Sequence, residues 1–258
     1  MIGIFDSGVG GMTVAHAVEQ LLPDYSTVYY GDIARTPYGP KSPETIINYS
    51  IRNSEFLLEK GAELIIIACN SASSVATERL RQRFQVPIIE VVSPAVDRAV
   101  QVSKNGQIGI IGTKATINST IYTQGIQAKR PGFKVYSQAC PLLVPLVEEG
   151  WLNQRETKMI LRRYLHPLKN HQIDTLVLGC THYPLLKETI QARIGKKVTL
   201  IDSSTETARH VQTFLNSNPD IVSRGGTVSH DYYASDCTET AVKVAERIFS
   251  RPMELKKA

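Results

Sequence analysis

Short apolar runs recur along the chain, separated by longer stretches in which apolar and polar residues mix. Segments 1–6, 26–31, 63–69, 87–92, 107–112, 133–138, 173–179 and 197–202 are rich in Ile, Val, Leu or Tyr. Their length and continuous apolar character predict strands covered on both faces. Between most of them the spacing changes. In 43–60, Ile46, Ile47, Ile51, Leu57 and Leu58 recur at roughly helical intervals, which gathers them on one face of a helix. Strands alternating with helices predict an α/β protein with mainly parallel sheets, since a parallel neighbour requires a crossover and a helix supplies it.

The pattern also repeats. Ile2-Gly-Ile-Phe-Asp-Ser is similar to Ile108-Gly-Ile-Ile-Gly-Thr, at an offset of 106. Leu-Ile-Ile-Ile-Ala-Cys69-Asn-Ser is similar to Leu-Val-Leu-Gly-Cys180-Thr-His, at an offset of 111, and Glu90-Val-Val-Ser-Pro-Ala and Leu200-Ile-Asp-Ser-Ser-Thr close the two units. Three landmarks in one order predict two similar α/β domains, pseudo-twofold related, with a site in the cleft between them. The expected division is 1–92 plus 209–258 for the first domain and 93–208 for the second. Gly225, Gly226 and the helical-looking 238–249 suit a return of the chain to the first domain.

Composition narrows the function classes. With 258 residues, 42% of them hydrophobic, the chain can bury one large core or two smaller ones. Its formal charge of +5 and pI near 9.0 would suit an anionic ligand. The basic residues are scattered rather than clustered, which argues against nucleic acid as a partner. No apolar stretch approaches the ~18 residues of a membrane span, and Met-Ile-Gly-Ile-Phe-Asp lacks the basic first region of a signal peptide. A cytoplasmic protein without a membrane partner is expected. Four cysteines in a chain of this length do not form a disulfide framework, and no C-x-x-C spacing points to a metal.

The chemistry-bearing residues fall at the carboxyl ends of predicted strands, where open parallel sheets bind ligands. Asp6-Ser-Gly-Val-Gly-Gly11 follows the first strand, and its N–H groups could hold a carboxylate. It fails the dinucleotide fingerprint, because position 13 is Thr13, and no Gly-Lys-Ser/Thr of a P-loop follows. Cys69 and Cys180 each end an apolar strand just before a predicted helix start, marked by Asn70 and Ser71 in one case and by Thr181 with Pro184 in the other. A helix N-terminus favours the thiolate, so a lowered thiol pKa is expected at both. Two matched thiols across one cleft suit a two-base proton transfer.

Six ordered segments together carry a family resemblance. They are Asp6-Ser-Gly-Val-Gly-Gly, Gly31-Asp-Ile-Ala-Arg-Thr-Pro-Tyr-Gly39, Cys69-Asn-Ser-Ala-Ser, Cys140-Pro-Leu-Leu-Val-Pro-Leu-Val-Glu-Glu-Gly150, Gly179-Cys-Thr-His-Tyr-Pro184 and Ile201-Asp-Ser-Ser-Thr-Glu-Thr-Ala208. In this order they resemble the signature blocks of the glutamate racemases, over residues 2 to about 215. The resemblance implies a cofactor-independent enzyme that interconverts L- and D-glutamate, the D isomer serving peptidoglycan synthesis. It implies that Cys69 takes the α-proton of D-glutamate and Cys180 that of L-glutamate. Asp6 would assist Cys69, and His182 with Glu148 would assist Cys180. Substrate contacts would come from Asp6, Ser7, Tyr38, Gly39, Asn70, Ser71, Thr181 and His182, with Thr113 and Thr116 as further candidates. Cys140 and Cys237 would be structural, and a homodimer is expected.

Ser71 stands where the family usually has threonine, which keeps the hydroxyl and loses a methyl. Other readings stay open at this stage. They are an aspartate racemase of the same superfamily, a one-thiol decarboxylase or isomerase on the same scaffold, and a nucleotide-binding or regulatory module without catalysis.

Overall fold

The computed structural model describes residues 1–223 and 227–258, so Gly225 and Gly226 lie outside the described residues. Ten strands are present among these: β1 (Ile2–Asp6), β2 (Thr27–Gly31), β3 (Leu64–Ile67), β4 (Ile88–Glu90), β5 (Gln107–Gly112), β6 (Lys134–Ala139), β7 (Thr175–Gly179), β8 (Thr199–Asp202), β9 (His230–Ala234) and β10 (Lys256–Lys257). The first eight occupy the eight predicted segments. They form two all-parallel sheets, ordered β10-β9-β2-β1-β3-β4 and β6-β5-β7-β8. Stripped of β9 and β10, the first sheet has the strand order of the second. The repeat seen along the chain is thus a repeat of topology, and the fold is the predicted α/β arrangement.

Burial follows strand position. Every residue of β1, β3 and β7 is buried, because helices cover both faces of these inner strands. The strand β6, at an edge, alternates Lys, Tyr and Gln with smaller residues and is buried nowhere along its length. The strand β9, His-Asp-Tyr-Tyr-Ala, lies between β2 and the two-residue edge strand β10 and buries only Tyr232 and Ala234. Its polar start, His230 and Asp231, is why 230–234 does not register as an apolar run.

Some helix starts carry side-chain caps. Ser42 accepts from the Thr45 N–H at 3.3 Å and Pro43 opens the helix Pro43–Glu59. At the ends of β4 and β8 the repeat reappears as chemistry. Glu90 accepts from the Val92 and Ser93 N–H groups, and Asp202 accepts from the Ser204 N–H at 3.0 Å. Each acid holds the start of the helix that leaves its sheet.

The helix Ser203–Ser217 carries the chain from the second sheet back to the first. Its Ala208, Val211 and Leu215 share a core with Val14, Ala15 and Val18 of the helix Met12–Leu21 and with Ile2, Ile4 and Leu64 beneath. Position 209 lies inside this helix, so the change of sheet takes place at Asp202 and Ser203. The helix Glu239–Phe249, capped by Thr238, adds Ala241, Val244 and Ile248 to the same core. Leu215 is fully buried where the returning helix meets the first sheet. We expect Leu215→Ala to lower unfolding free energy by about 2–5 kcal/mol, read from urea denaturation. A loss below about 1 kcal/mol would show that this docking is not part of the cooperative core.

Candidate active site

The carboxyl ends of β1, β3, β5 and β7 converge on one narrow cleft with about 310 Å³ of free space, its open mouth included. Cys69 and Cys180, one from each sheet, both line it. So do Ser7, Tyr38, Gly39, Asn70, Ser71, Thr181 and His182. Asp6 lies beneath the lining, fully buried, and Glu148 lies behind His182 in the wall of a neighbouring hollow. Thr113 reaches the cleft, whereas Thr116 is buried and supports Thr113 at 3.2 Å.

The two thiols have different surroundings. Cys69 is itself the N-cap of the helix Asn70–Arg83, its Sγ accepting from the Ala72 N–H at 3.5 Å and lying 3.5 Å from Ser7 Oγ. The expected lowering of its pKa does not occur. Burial foremost, and then the negative charge of Asp6, push the Cys69 thiol up to about 12, against the weaker pull of the Ser7 and Ala72 hydrogen bonds. Cys180 has no helix start at all. Thr181 and Pro184 lead into a short 3-10 turn, Tyr183–Leu186, whose N-cap is His182, so the residue beside the sulfur is a side chain instead.

His182 Nδ1 lies 3.9 Å from Cys180 Sγ, and its Nε2 lies 3.2 Å from Glu148 Oε1. Burial alone would lower the imidazole pKa. The Cys180 sulfur and the Glu148 carboxylate outweigh it and raise His182 to about 10. An imidazolium next to the sulfur is the counter-charge that a thiolate needs in a dry site.

Asp6 is tied into its own loop. Its Oδ2 accepts from the Gly8 N–H at 3.1 Å and the Gly11 N–H at 3.0 Å, while Oδ1 accepts from Thr181 Oγ1 at 3.5 Å. Two loop amides that could have held a substrate carboxylate therefore hold Asp6. Burial raises the Asp6 pKa, and His182 and the loop amides pull it back. Asp6 acts on Cys69 as a nearby charge, and Ser7 is the residue that touches the sulfur.

Three side chains in the walls depend on partners that local sequence does not reveal. Tyr38 donates to Asp32 Oδ2 at 2.6 Å and accepts from Asn53 Nδ2 at 3.1 Å, so its hydroxyl is spent on the wall. Tyr122 donates to Asn70 Oδ1 at 2.6 Å, which turns the Asn70 amide nitrogen free. Ser71 and Thr113 pair across the sheets at 2.9 Å. Among the described residues, the buried side-chain polar atoms without a hydrogen bond are Thr36 Oγ1, Asn70 Nδ2 and His182 Nε2. The Glu148 carboxylate is close to that last atom but outside hydrogen-bond geometry. All three residues line this one cleft. Buried polar groups are nearly always satisfied, and His182 Nε2 is turned to Glu148, so Thr36 Oγ1 and Asn70 Nδ2 are the two that mark a place prepared for a polar ligand. Thr36, Pro37 and Val144 join the lining without having been singled out in the sequence. Thr36 and Pro37 stand inside the Gly31 to Gly39 segment, whose polar end gave the available signal.

A family model described as Asp/Glu/Hydantoin racemase matches residues 12–211. The chain belongs to this family. Within it, the glutamate racemase of Geobacter metallireducens is 44% identical over 246 residues, 95% of this chain and 91% of that one. The structure of glutamate racemase isoform RacE1 from Bacillus anthracis superposes with a TM-score of 0.95 at 35% identity, covering 100% of this chain and 97% of that one. Glutamate racemase from Francisella tularensis, in complex with D-glutamate, gives 0.92 at 33% identity over 100% and 96% of the two chains. The likeness to the family thus spans both sheets and the cleft between them.

Two expectations follow. In a pH titration followed by NMR, His182 should stay protonated through neutrality and lose its proton near about 10. Glu148→Gln should bring that midpoint down, because it removes a negative charge beside Nε2; an unmoved midpoint would refute the pairing. Gly10 is the second test. A Cβ there would strike the His182 ring and come within 2.8 Å of Thr181 Oγ1. Gly10→Ala should cost about 1–3 kcal/mol in urea denaturation, since the loop and the ring cannot both keep their places.

Proposed function

We propose that this chain interconverts L- and D-glutamate by direct proton transfer at the α-carbon between Cys69 and Cys180, without a cofactor, and so supplies D-glutamate for peptidoglycan. The observation that carries the reading is the pair of buried thiols, one from each sheet, lining one cleft together with the unsatisfied Thr36 Oγ1 and Asn70 Nδ2.

In one direction the Cys180 thiolate removes the α-proton of L-glutamate. The S–H bond forms, the C–H bond breaks, and the electron pair moves into the α-carboxylate. Cys69 then gives its proton to the opposite face of the carbon. D-glutamate leaves, with the proton inventory of the two sulfurs exchanged. In the other direction the roles reverse, and Cys69 must first lose its proton. The first of these starting points suits the site, because burial and Asp6 push the Cys69 thiol up to about 12 while Cys180 and Glu148 raise His182 to about 10.

The substrate's carboxylates would be met by neutral donors. The free Asn70 Nδ2, the hydroxyls of Ser7 and Ser71, and Thr36 Oγ1 all belong to residues that line the cleft, and Thr181 lines it with its O–H turned to Asp6. Such donors stabilise developing charge on a carboxylate without needing to reorganise. Asp6, under the floor, supplies the negative charge that an ammonium group prefers. On the same reading the enzyme works in the cytoplasm as a homodimer, in line with its family. Among the described residues no helix is long and apolar enough to cross a membrane.

Purified protein, with chelator present and no pyridoxal phosphate, should racemise glutamate and exchange its α-hydrogen with deuterated solvent. Cys69→Ser and Cys180→Ser should each reduce racemisation by about 10²- to 10⁴-fold, because a turnover needs a base on one face and an acid on the other. Full activity in either variant would sink the two-thiol account. Aspartate, shorter by one methylene, should show a kcat/KM at least about tenfold lower in the same assay. A preference for aspartate would favour the aspartate racemase reading instead.

A further inference from the structure

Two hollows adjoin the cleft, and they differ in charge. One shares Thr36 with it and carries Glu148, Glu149 and Asp236. The other shares Pro37, Gly39, Thr113 and Val144 with it, and is completed by Pro40, Pro141, Pro145 and a single charged residue, Lys114. Lys114 also faces a third hollow, in which Lys41 is the other charged residue. No acidic side chain lines either of these last two.

Glutamate near neutral pH carries two carboxylates and one ammonium, so it arrives as a net anion. The cleft itself contains no lysine or arginine. His182 in its lining is answered by Glu148 at 3.2 Å and by the nearby Asp6, and the neutral donors of the cleft act only over hydrogen-bond distances, so neither draws an anion from bulk water. The acidic hollow repels one. The remaining mouth has four prolines and a valine in its wall with a cation at its rim. Low-dielectric walls around charge of one sign focus the field and raise the local concentration of the opposite ion.

We propose that Lys114, with Lys41 behind it, is a steering residue that draws the anionic substrate into the cleft through the proline-lined mouth. The proposal rests on the racemase reading above. Lys114 is exposed and starts the short helix Lys114–Asn118, so its replacement does not disturb the core. It touches none of the reacting groups. Its effect therefore belongs to encounter with the substrate and not to the proton transfers.

The test is racemisation kinetics against ionic strength. At low salt, Lys114→Gln should lower kcat/KM by about twofold to fivefold with kcat unchanged, and Lys114→Glu should lower it further. Lys114→Arg should restore the parent value. At about 1 M salt, where the screening length is about 3 Å, parent and variants should converge. The proposal is overturned if the double variant Lys41→Gln/Lys114→Gln keeps the parent's kcat/KM at low salt, or if the loss persists undiminished at high salt. The racemase reading is tested separately, by turnover of the parent chain at saturating glutamate.

Discussion

The site depends on one seam, where the loop after β1 meets the segment after β7. Thr181 is gripped from both ends there. Its carbonyl accepts from Thr13 Oγ1 at 3.2 Å, and its hydroxyl donates to the buried carboxylate of Asp6 at 3.5 Å. Thr13 in turn pairs with Ser204 at 2.8 Å, at the start of the helix that returns to the first sheet. Gly10, lacking a side chain, lets the His182 ring lie against the loop. Each of these contacts joins residues some 170 to 190 positions apart, and together they set the separation and facing of two thiols that belong to different sheets. Burying Asp6 is costly, and its two loop amides offset that cost while leaving its charge in the site.

The seam also explains why the site is polar but sparsely charged. Its hydroxyls and amides are held by one another: Ser71 by Thr113, Asn70 by Tyr122, Tyr38 by Asp32 and Asn53. Each such bond consumes one hydrogen-bonding capacity and orients another. Asn70 is the clearest case, because fixing its oxygen decides where its nitrogen points. Preorganisation of this kind comes from the walls and does not wait for the ligand.

Much of this was legible in the sequence. The apolar runs at 63–69 and 173–179 are read correctly as inner strands because helices on both faces leave no polar side to obscure them. The Cys69 and Cys180 repeat reads as matched strand ends for the same reason. What was not legible lies in contacts across the fold. The thiol pKa at Cys69 was misjudged because a helix terminus is visible in sequence, whereas full burial and a neighbouring Asp6 are not. The helix start expected after Cys180 is a 3-10 turn, Tyr183–Leu186, and the α-helix begins only at Lys187. Tyr122 carried no local signal, as its partner Asn70 meets it only once the two sheets are face to face. The strand β9 carries no apolar run, because it opens on His230 and Asp231 and gains its place from pairing with β2.

The unequal settings of the two thiols have a thermodynamic consequence. Mirror-image molecules have the same free energy in water, so a racemase working at equilibrium must have the same kcat/KM in both directions. Ser7 beside one sulfur and His182 beside the other therefore cannot favour either product in the end. Any advantage that the asymmetry gives one enantiomer in turnover must be returned as weaker saturation by that enantiomer. The two halves of the molecule can diverge freely in chemistry, and what they are jointly held to is a ratio of one.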